Sequence, residues 1–420
     1  MNQRHLILVL CPLLAVLVAV SAFAAPRPAT LSAPAAGDLV SGEVVALDAG
    51  AASGLVPTGE VPREPAVFTF PLAADTVVES PRPFAATSTG YFVDVAAAEL
   101  RTGTPLHLTA PGAIVRINPA PGAGLRGAID PSGLVLVAAD GRRLAAGAGV
   151  ESLVSDDALI AAGMPVLAGT VAFRVADGVG VGTVTLAAPS LRASGAYQVH
   201  VHEPASDVVL TLRTGQVDVF HGSRVDVEMA FETAGRALAA DRVEAFVTSP
   251  AGRAWSLGLR RGADGLYRGS LAIDALEAPT PGLWEVHVAT RASLDGLTAV
   301  RSGRTAFGGH LPTAALDGTA TVERGRGGVV IDLGVTVGTP GRFEARGVLY
   351  GTADDGALVP LASGHGADFL AGDGTLRLTF DAALLDASGL RAPFELRALQ
   401  LADQGRMGIL HRQAMGLTID

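Results

Sequence analysis

Arg224-Val225-Asp226-Val227-Glu228-Met229-Ala230-Phe231 is the stretch whose reading decides the fold class. Successive side chains of an extended strand point to opposite faces, so Val225, Val227, Met229 and Phe231 fall on one face while Arg224, Asp226 and Glu228 fall on the other. This is a strand half buried against a core. The same alternation recurs at Ala254 to Leu259, Leu266 to Ile273 and Ile331 to Val337. The runs are short, bounded by Gly, Pro and Asp, and spaced by roughly 10 residues, which is the pattern of β-sandwiches. Composition agrees: 49% hydrophobic and 17% charged residues, with 52 Gly and 25 Pro, make a chain apolar enough to fold and too punctuated for long helices. One departure is expected, a short helix at Ser155-Asp156-Asp157-Ala158-Leu159-Ile160-Ala161-Ala162-Gly163, with a capping Ser, acidic first-turn residues and a terminal Gly.

The expected fold is all-β, and 420 residues allow several domains. Residues 1–24 read as a signal peptide and 25–65 as a disordered leader rich in Ala, Pro and Gly. An N-terminal β-rich domain at 66–205 is followed by two immunoglobulin-like β-sandwiches at 206–312 and 313–420. A boundary falls near Pro204, and Asp207 to Arg213 reads equally as the last strand of one domain or the first of the next. A fragment from about Leu311 to Asp420 is expected to fold alone.

An internal repeat supports this layout. Gly195-Ala196-Tyr197-Gln198-Val199-His200-Val201, Gly282-Leu283-Trp284-Glu285-Val286-His287-Val288 and Ala392-Pro393-Phe394-Glu395-Leu396-Arg397-Ala398 each place an aromatic residue at the head of an alternating strand. The position is similar to the penultimate strand of immunoglobulin-like domains, where a Tyr hydroxyl pins the preceding corner. Only Tyr197 has a hydroxyl; Trp284 and Phe394 are expected to act as core plugs.

The address is read from the first residues. Arg4 and His5 precede an uncharged run from Leu6 to Val20, and Ser21-Ala22-Phe23-Ala24 closes it, the layout of a secretory signal cleaved after Ala24. The expected location is periplasmic or extracellular, with no membrane anchor after cleavage. Cys11, the single Cys, would leave with the signal, so disulfides, Cys nucleophiles and thiolate metal sites are excluded from the mature chain. All 31 basic residues are Arg, which removes mechanisms that need a Lys amine, and a formal charge of −10 has the wrong sign for nucleic acid.

Tyr91-Phe92-Val93-Asp94-Val95, Glu99-Leu100-Arg101-Thr102-Gly103 and Thr109-Ala110-Pro111-Gly112-Ala113-Ile114-Val115-Arg116-Ile117 carry a resemblance, together with Gly341-Arg342-Phe343-Glu344-Ala345, Leu378-Thr379-Phe380-Asp381 and Ser388-Gly389-Leu390. On these the chain resembles an uncharacterised family of secreted bacterial multi-domain β proteins, classed only as a domain of unknown function, with a C-terminal immunoglobulin-like domain. The resemblance implies a fold and export, and no activity.

Candidate chemistry is sparse. His200 and His202, two apart on a strand, share a face and are the weak candidates for a metal, with Glu203 on the opposite face or Asp207 as third ligand. The bland reading is an exposed polar face, since His200 takes an outward position of the kind held by Glu285 and Arg397. No second His follows for zincin chemistry and no Gly-x-Ser-x-Gly elbow occurs. Asp156-Asp157 fit a helix start, Asp354-Asp355-Gly356 a turn, and Asp373 lacks the companions of a calcium loop. Gly178-Val179-Gly180-Val181-Gly182 precedes a strand and not a helix, and the doublets Arg142-Arg143 and Arg260-Arg261 fit hairpin ends. His107 with Asp94 and a loop Ser would be a hidden constellation; its bland reading is a solvent-facing residue between Leu106 and Leu108. The expected catalytic and cofactor residues are therefore none, and two functions compete. One is a non-enzymatic module acting on an unknown protein partner, with no nucleic acid and no cofactor. The other is a secreted hydrolase or its accessory chain, with the site in the N-terminal domain.

Overall fold

The computed structural model describes residues 25–47, 62–120, 129–192, 194–273 and 282–420. The expected signal peptide and Cys11 lie outside them. Alternation turns into six sheets packed in three pairs, around three separate apolar clusters. The first cluster runs from Tyr91 to Val201, the second from Val208 to Phe307 and the third from Ala314 to Ile419. The Arg224–Thr233 strand behaves as its pattern requires, with Val225, Val227, Met229 and Phe231 buried. The chain is all-β with multiple sheets, a multi-domain β-sandwich protein.

The repeat heads are core plugs: Tyr197 is 1% exposed, and Trp284 and Phe394 are 3% exposed. The tyrosine-corner expectation is corrected. Tyr197 hydroxyl has no hydrogen-bond partner among the described residues. Tyr91 does that kind of work instead: its hydroxyl accepts from His107 N–H at 2.7 Å and donates to His107 carbonyl at 3.3 Å, pinning the Thr104–Leu108 strand. The repeat also extends outward, across strands. His200 stacks on Phe92 at 4.3 Å between ring centroids, His287 stacks on Phe246 at 4.7 Å, and Arg397 lies over Tyr350 at 5.2 Å.

The expected leader needs correction. Arg27–Thr30 pairs antiparallel with the Ala314–Gly325 strand, and Leu39–Val40 pairs with Gly408–Ile419, so both extend sheets of the third domain. Ala66–Pro71, assigned to the N-terminal domain from its alternation, instead forms an edge of the third domain by pairing with Leu358–Leu370. Ala86–Ser88 then pairs with Val208–Thr214 in the second domain. One physical reason moves these four strands out of the expected leader and the start of the expected N-terminal domain, while the cluster from Tyr91 to Val201 keeps the rest of that domain together. A segment poor in large side chains cannot build a core, but its backbone can hydrogen-bond to the open edge of a sheet already built.

Val208–Thr214 also pairs with Arg224–Thr233, so this segment belongs to the second domain's sheet. Two short helices escaped the sequence reading, Ala97–Thr102 in the first domain and Ala382–Ser388 in the third. The expected helix is present at Asp156–Ala161, yet Ser155 makes no side-chain cap. Asp156 anchors the turn by accepting from the Asp157 and Gly169 amides.

Candidate functional site

The chemistry-bearing side chains gather at two joints between domains and on the outer face of the first domain. At the first joint the Ala196–His202 strand ends in Glu203, which turns away from His200 and His202 and is fully buried. Arg301, on the Leu297–His310 strand of the second domain, meets it at 2.8 Å, also fully buried. Burying two charges is favourable only when every donor and acceptor finds a partner. Here the guanidinium Nε donates to Val208 carbonyl at 2.8 Å, Nη1 to Val300 carbonyl at 2.7 Å, and Nη2 to the Thr109 and Ser206 hydroxyls at 2.9 and 2.6 Å. The Glu203 carboxylate in turn accepts from the Thr109 and Ala110 amides at 2.6 and 2.9 Å. Five donors of a planar fork are thus held between two domains, a role Lys cannot fill.

The second joint is built on Asp218. Its carboxylate takes His310 Nε2 at 2.7 Å within the second domain and Arg412 of the third. Burial alone would raise the Asp218 pKa, but the hydrogen bonds from His310 and Arg412 outweigh it and hold the carboxyl below its ordinary value. A carboxylate with a depressed folded pKa stabilises the fold above its unfolded pKa and loses that contribution as pH falls through the folded one. Acid unfolding of the chain should therefore be shallower in Asp218→Asn than in the wild type below about pH 4, measured by far-UV circular dichroism; identical acid limbs would show that Asp218 carries none of it.

The paired His residues lie on the outward face of the first domain's five-stranded sheet. Their rings are 6.3 Å apart and nearly parallel, and each has its own neighbour: Phe92 stacks on His200, and Thr89 hydroxyl lies 3.3 Å from His202 Nδ1. Gly90 sits opposite His202 because a Cβ there would come within 2.6 Å of Val201 carbonyl. Glu203 is committed to Arg301, and Asp207 lies beyond Pro204 on an exposed turn. Among the described residues no group of three His, Cys, Asp or Glu side chains is placed to hold a metal. Burial, then Arg116 and His202, lower the His200 pKa to about 4, so its imidazole is neutral at pH 7. Nuclear magnetic resonance titration of the ring should give a midpoint near that value; a midpoint near the ordinary 6.5 would mean that the stack on Phe92 is open in solution.

The other sequence candidates separate. His107 bonds Thr183 across the opposite sheet while Asp94 takes the Gln198 amide, so the two do not form a pair. Asp354 pairs with Arg391, Asp355 closes its turn on the Ala357 amide, and Asp373 accepts from the Val337 amide. Arg142 pairs with Asp140, and Arg260–Arg261 is a short edge strand. Residues 177–179 form a single 3-10 turn before the Gly182–Ala187 strand. Sequence reasoning missed both joints, because their members come from different domains.

A family model described as domain of unknown function (DUF4785) N-terminal domain matches residues 57–203, and one described as the DUF4785 C-terminal domain matches residues 313–420. The crystal structure of a DUF4785 family protein from Legionella pneumophila is similar at a TM-score of 0.70 and 19% identity, covering 91% of this chain and 99% of that one, a likeness of fold alone. The native conformation of α-2-macroglobulin from Escherichia coli is 12% identical at a TM-score of 0.30, covering 80% of this chain and 20% of that one. Its trypsin-activated form is 11% identical at 0.21, covering 90% and 25%. Scores this low carry no argument about this chain. Comparison with curated proteins finds no match.

Proposed function

The chain belongs to the DUF4785 family, and on that premise we propose that it is an exported, non-enzymatic binding or structural protein of the bacterial envelope or extracellular space. It acts through protein–protein contacts of its β-sandwich domains. The observation that carries this reading is the buried Glu203–Arg301 joint. Catalysis by domain closure needs a hinge that opens, whereas a fully paired charge buried between domains opposes opening. The second joint at Asp218 and the strands Arg27–Thr30, Ala66–Pro71 and Ala86–Ser88, lent to other domains, act in the same direction. Surfaces on separate domains are thereby presented in one fixed arrangement, which suits a scaffold. Export is supported by the Leu6 to Val20 run and the small residues before Ala25.

Two experiments test the reading together. Chemical cross-linking with the purified mature chain in an envelope extract should retain a protein partner at the same position on the chain in repeated preparations. A screen of peptide, ester and glycan substrates should give no turnover, on the full chain or on a truncation ending near Pro204. Turnover abolished by one His or Ser substitution would replace this reading with the hydrolase one.

A further inference from the structure

The outer face of the first domain's five-stranded sheet carries a half-open cleft of about 630 Å³, within the usual size range of small-ligand sites. Asp94, Arg116, Asn118 and Gln198 form its floor, and Val166 and Leu167 line one wall. Strand register puts Asp94, Gln198 and Asn118 side by side on three neighbouring strands, with Arg116 one pleat further along, opposite His200.

These floor groups are not equally satisfied. Gln198 Nε2 donates to one oxygen of Asp94 at 3.2 Å, and Asn118 Oδ1 accepts from Thr170 hydroxyl at 3.3 Å. Among the described residues the other Asp94 oxygen and the Asn118 amide nitrogen take no side-chain hydrogen bond. Arg174, also on this sheet, is paired with Glu151 and Asp177 at 2.7 and 2.6 Å. Arg116 is half-buried, has no ion pair or hydrogen bond among the described residues, and its Nε is shielded from water. A cation partly withdrawn from water without any acceptor is costly, and elsewhere in this fold the withdrawn arginines are supplied: Arg301, Arg406 and Arg412 with carboxylates, and Arg342 with the Gln404 side-chain oxygen and the Pro62 and Glu64 carbonyls. An anion with two adjacent oxygens has the shape that a guanidinium fork binds. Next to it lie an acceptor for an N–H, a donor for a carbonyl, and an apolar wall, with Leu167 51% exposed. That combination is the chemistry of a peptide's last residue.

We propose that this cleft binds the C-terminal carboxylate of an extended peptide. Arg116 takes the carboxylate, Asp94 and Asn118 take main-chain N–H and carbonyl groups, and an apolar last side chain lies against Val166 and Leu167. The proposal rests on the binding reading above and gives it a ligand class; the source is either a free short peptide or the tail of a folded protein.

The test is calorimetric titration of the full mature chain with N-acetyl-Ala-Ala-Leu as the free acid, as its C-terminal amide, and as the free acid with an unblocked amino terminus. The free acid should bind about tenfold or more tightly than the amide, a difference of about 1.4 kcal/mol. Arg116→Gln should lose the same factor and Arg174→Gln should lose none, with both keeping the wild-type thermal transition. The acid against amide comparison on the wild type needs no variant, so it decides even where Arg116→Gln fails to fold. Equal affinity for acid and amide, unchanged binding in Arg116→Gln, or displacement of the acid by an equal concentration of inorganic phosphate overturns the proposal. With the acid preference present, equal binding of the acetylated and unblocked acids assigns the site to protein tails, and a further gain of about tenfold for the unblocked acid assigns it to free peptides. If no peptide binds while cross-linking still retains a partner, the cleft assignment falls and the binding reading stands.

Discussion

Residues 311–420 expressed alone should be less stable than the same domain within the chain by roughly 3 to 6 kcal/mol, and covalent addition of residues 25–72 should restore the loss. The size follows from what the fragment leaves behind. It lacks the strands Arg27–Thr30, Leu39–Val40 and Ala66–Pro71, which close both sheets of the third domain. It also strands buried polar groups. Arg342, 8% exposed, donates to Pro62 and Glu64 carbonyls; Gln413, 1% exposed, donates to Ser32 carbonyl; and Thr339 accepts from the Leu47 amide. Each buried group left without its partner costs about 1 to 3 kcal/mol, while the ladder groups freed at the sheet edges regain water and add little. Equilibrium unfolding in urea, followed at the same probe in both proteins, measures it. Equal midpoints would show that the segment lies on the domain without supporting it, as the expected independence of residues 311–420 requires.

Arg301→Met should destabilise the joint between the first and second domains by roughly 3 to 5 kcal/mol, because it leaves the Glu203 carboxylate buried and without its cation. Glu203→Leu combined with Arg301→Met should recover most of that loss, since a buried pair replaced by apolar groups of similar size is often neutral. A double-mutant cycle in urea reads both. A single variant costing under about 1 kcal/mol would mean that water reaches the pair and that the domains separate in solution.

How much of this was legible in the sequence depends on the distance between partners. The Arg224 to Phe231 alternation fixes its own strand because period two is a local property, and it appears with the expected face buried. The repeat was legible for the same reason: Tyr197, Trp284 and Phe394 each stand third in their copy of the pattern and are all buried. The stack of Phe92 on His200 was not, because register between strands far apart in sequence brings the rings together. The leader was misread because composition reports whether a segment can build a core, not whether it can borrow an edge. Glu203 read as a possible metal ligand beside His202 and is instead the buried partner of Arg301; the signal available was a Glu closing an alternating strand at an inward position. Tyr91, inside the family-like stretch, could have been taken for the pinning hydroxyl only by knowing that Thr104–Leu108 lies against it.

The account turns on the strands Arg27–Thr30, Leu39–Val40, Ala66–Pro71 and Ala86–Ser88 being structural members of the second and third domains. Hydrogen exchange of the backbone amides of Ala29 and of Val67 to Phe70 in the full mature chain tests this most directly. Ladder-bonded amides among them should exchange orders of magnitude more slowly than an unstructured chain, with protection falling in the Arg301→Met variant far less than at the first joint. Exchange of all of these amides at the rate of an unstructured peptide would contradict the account and return the segment to a free leader.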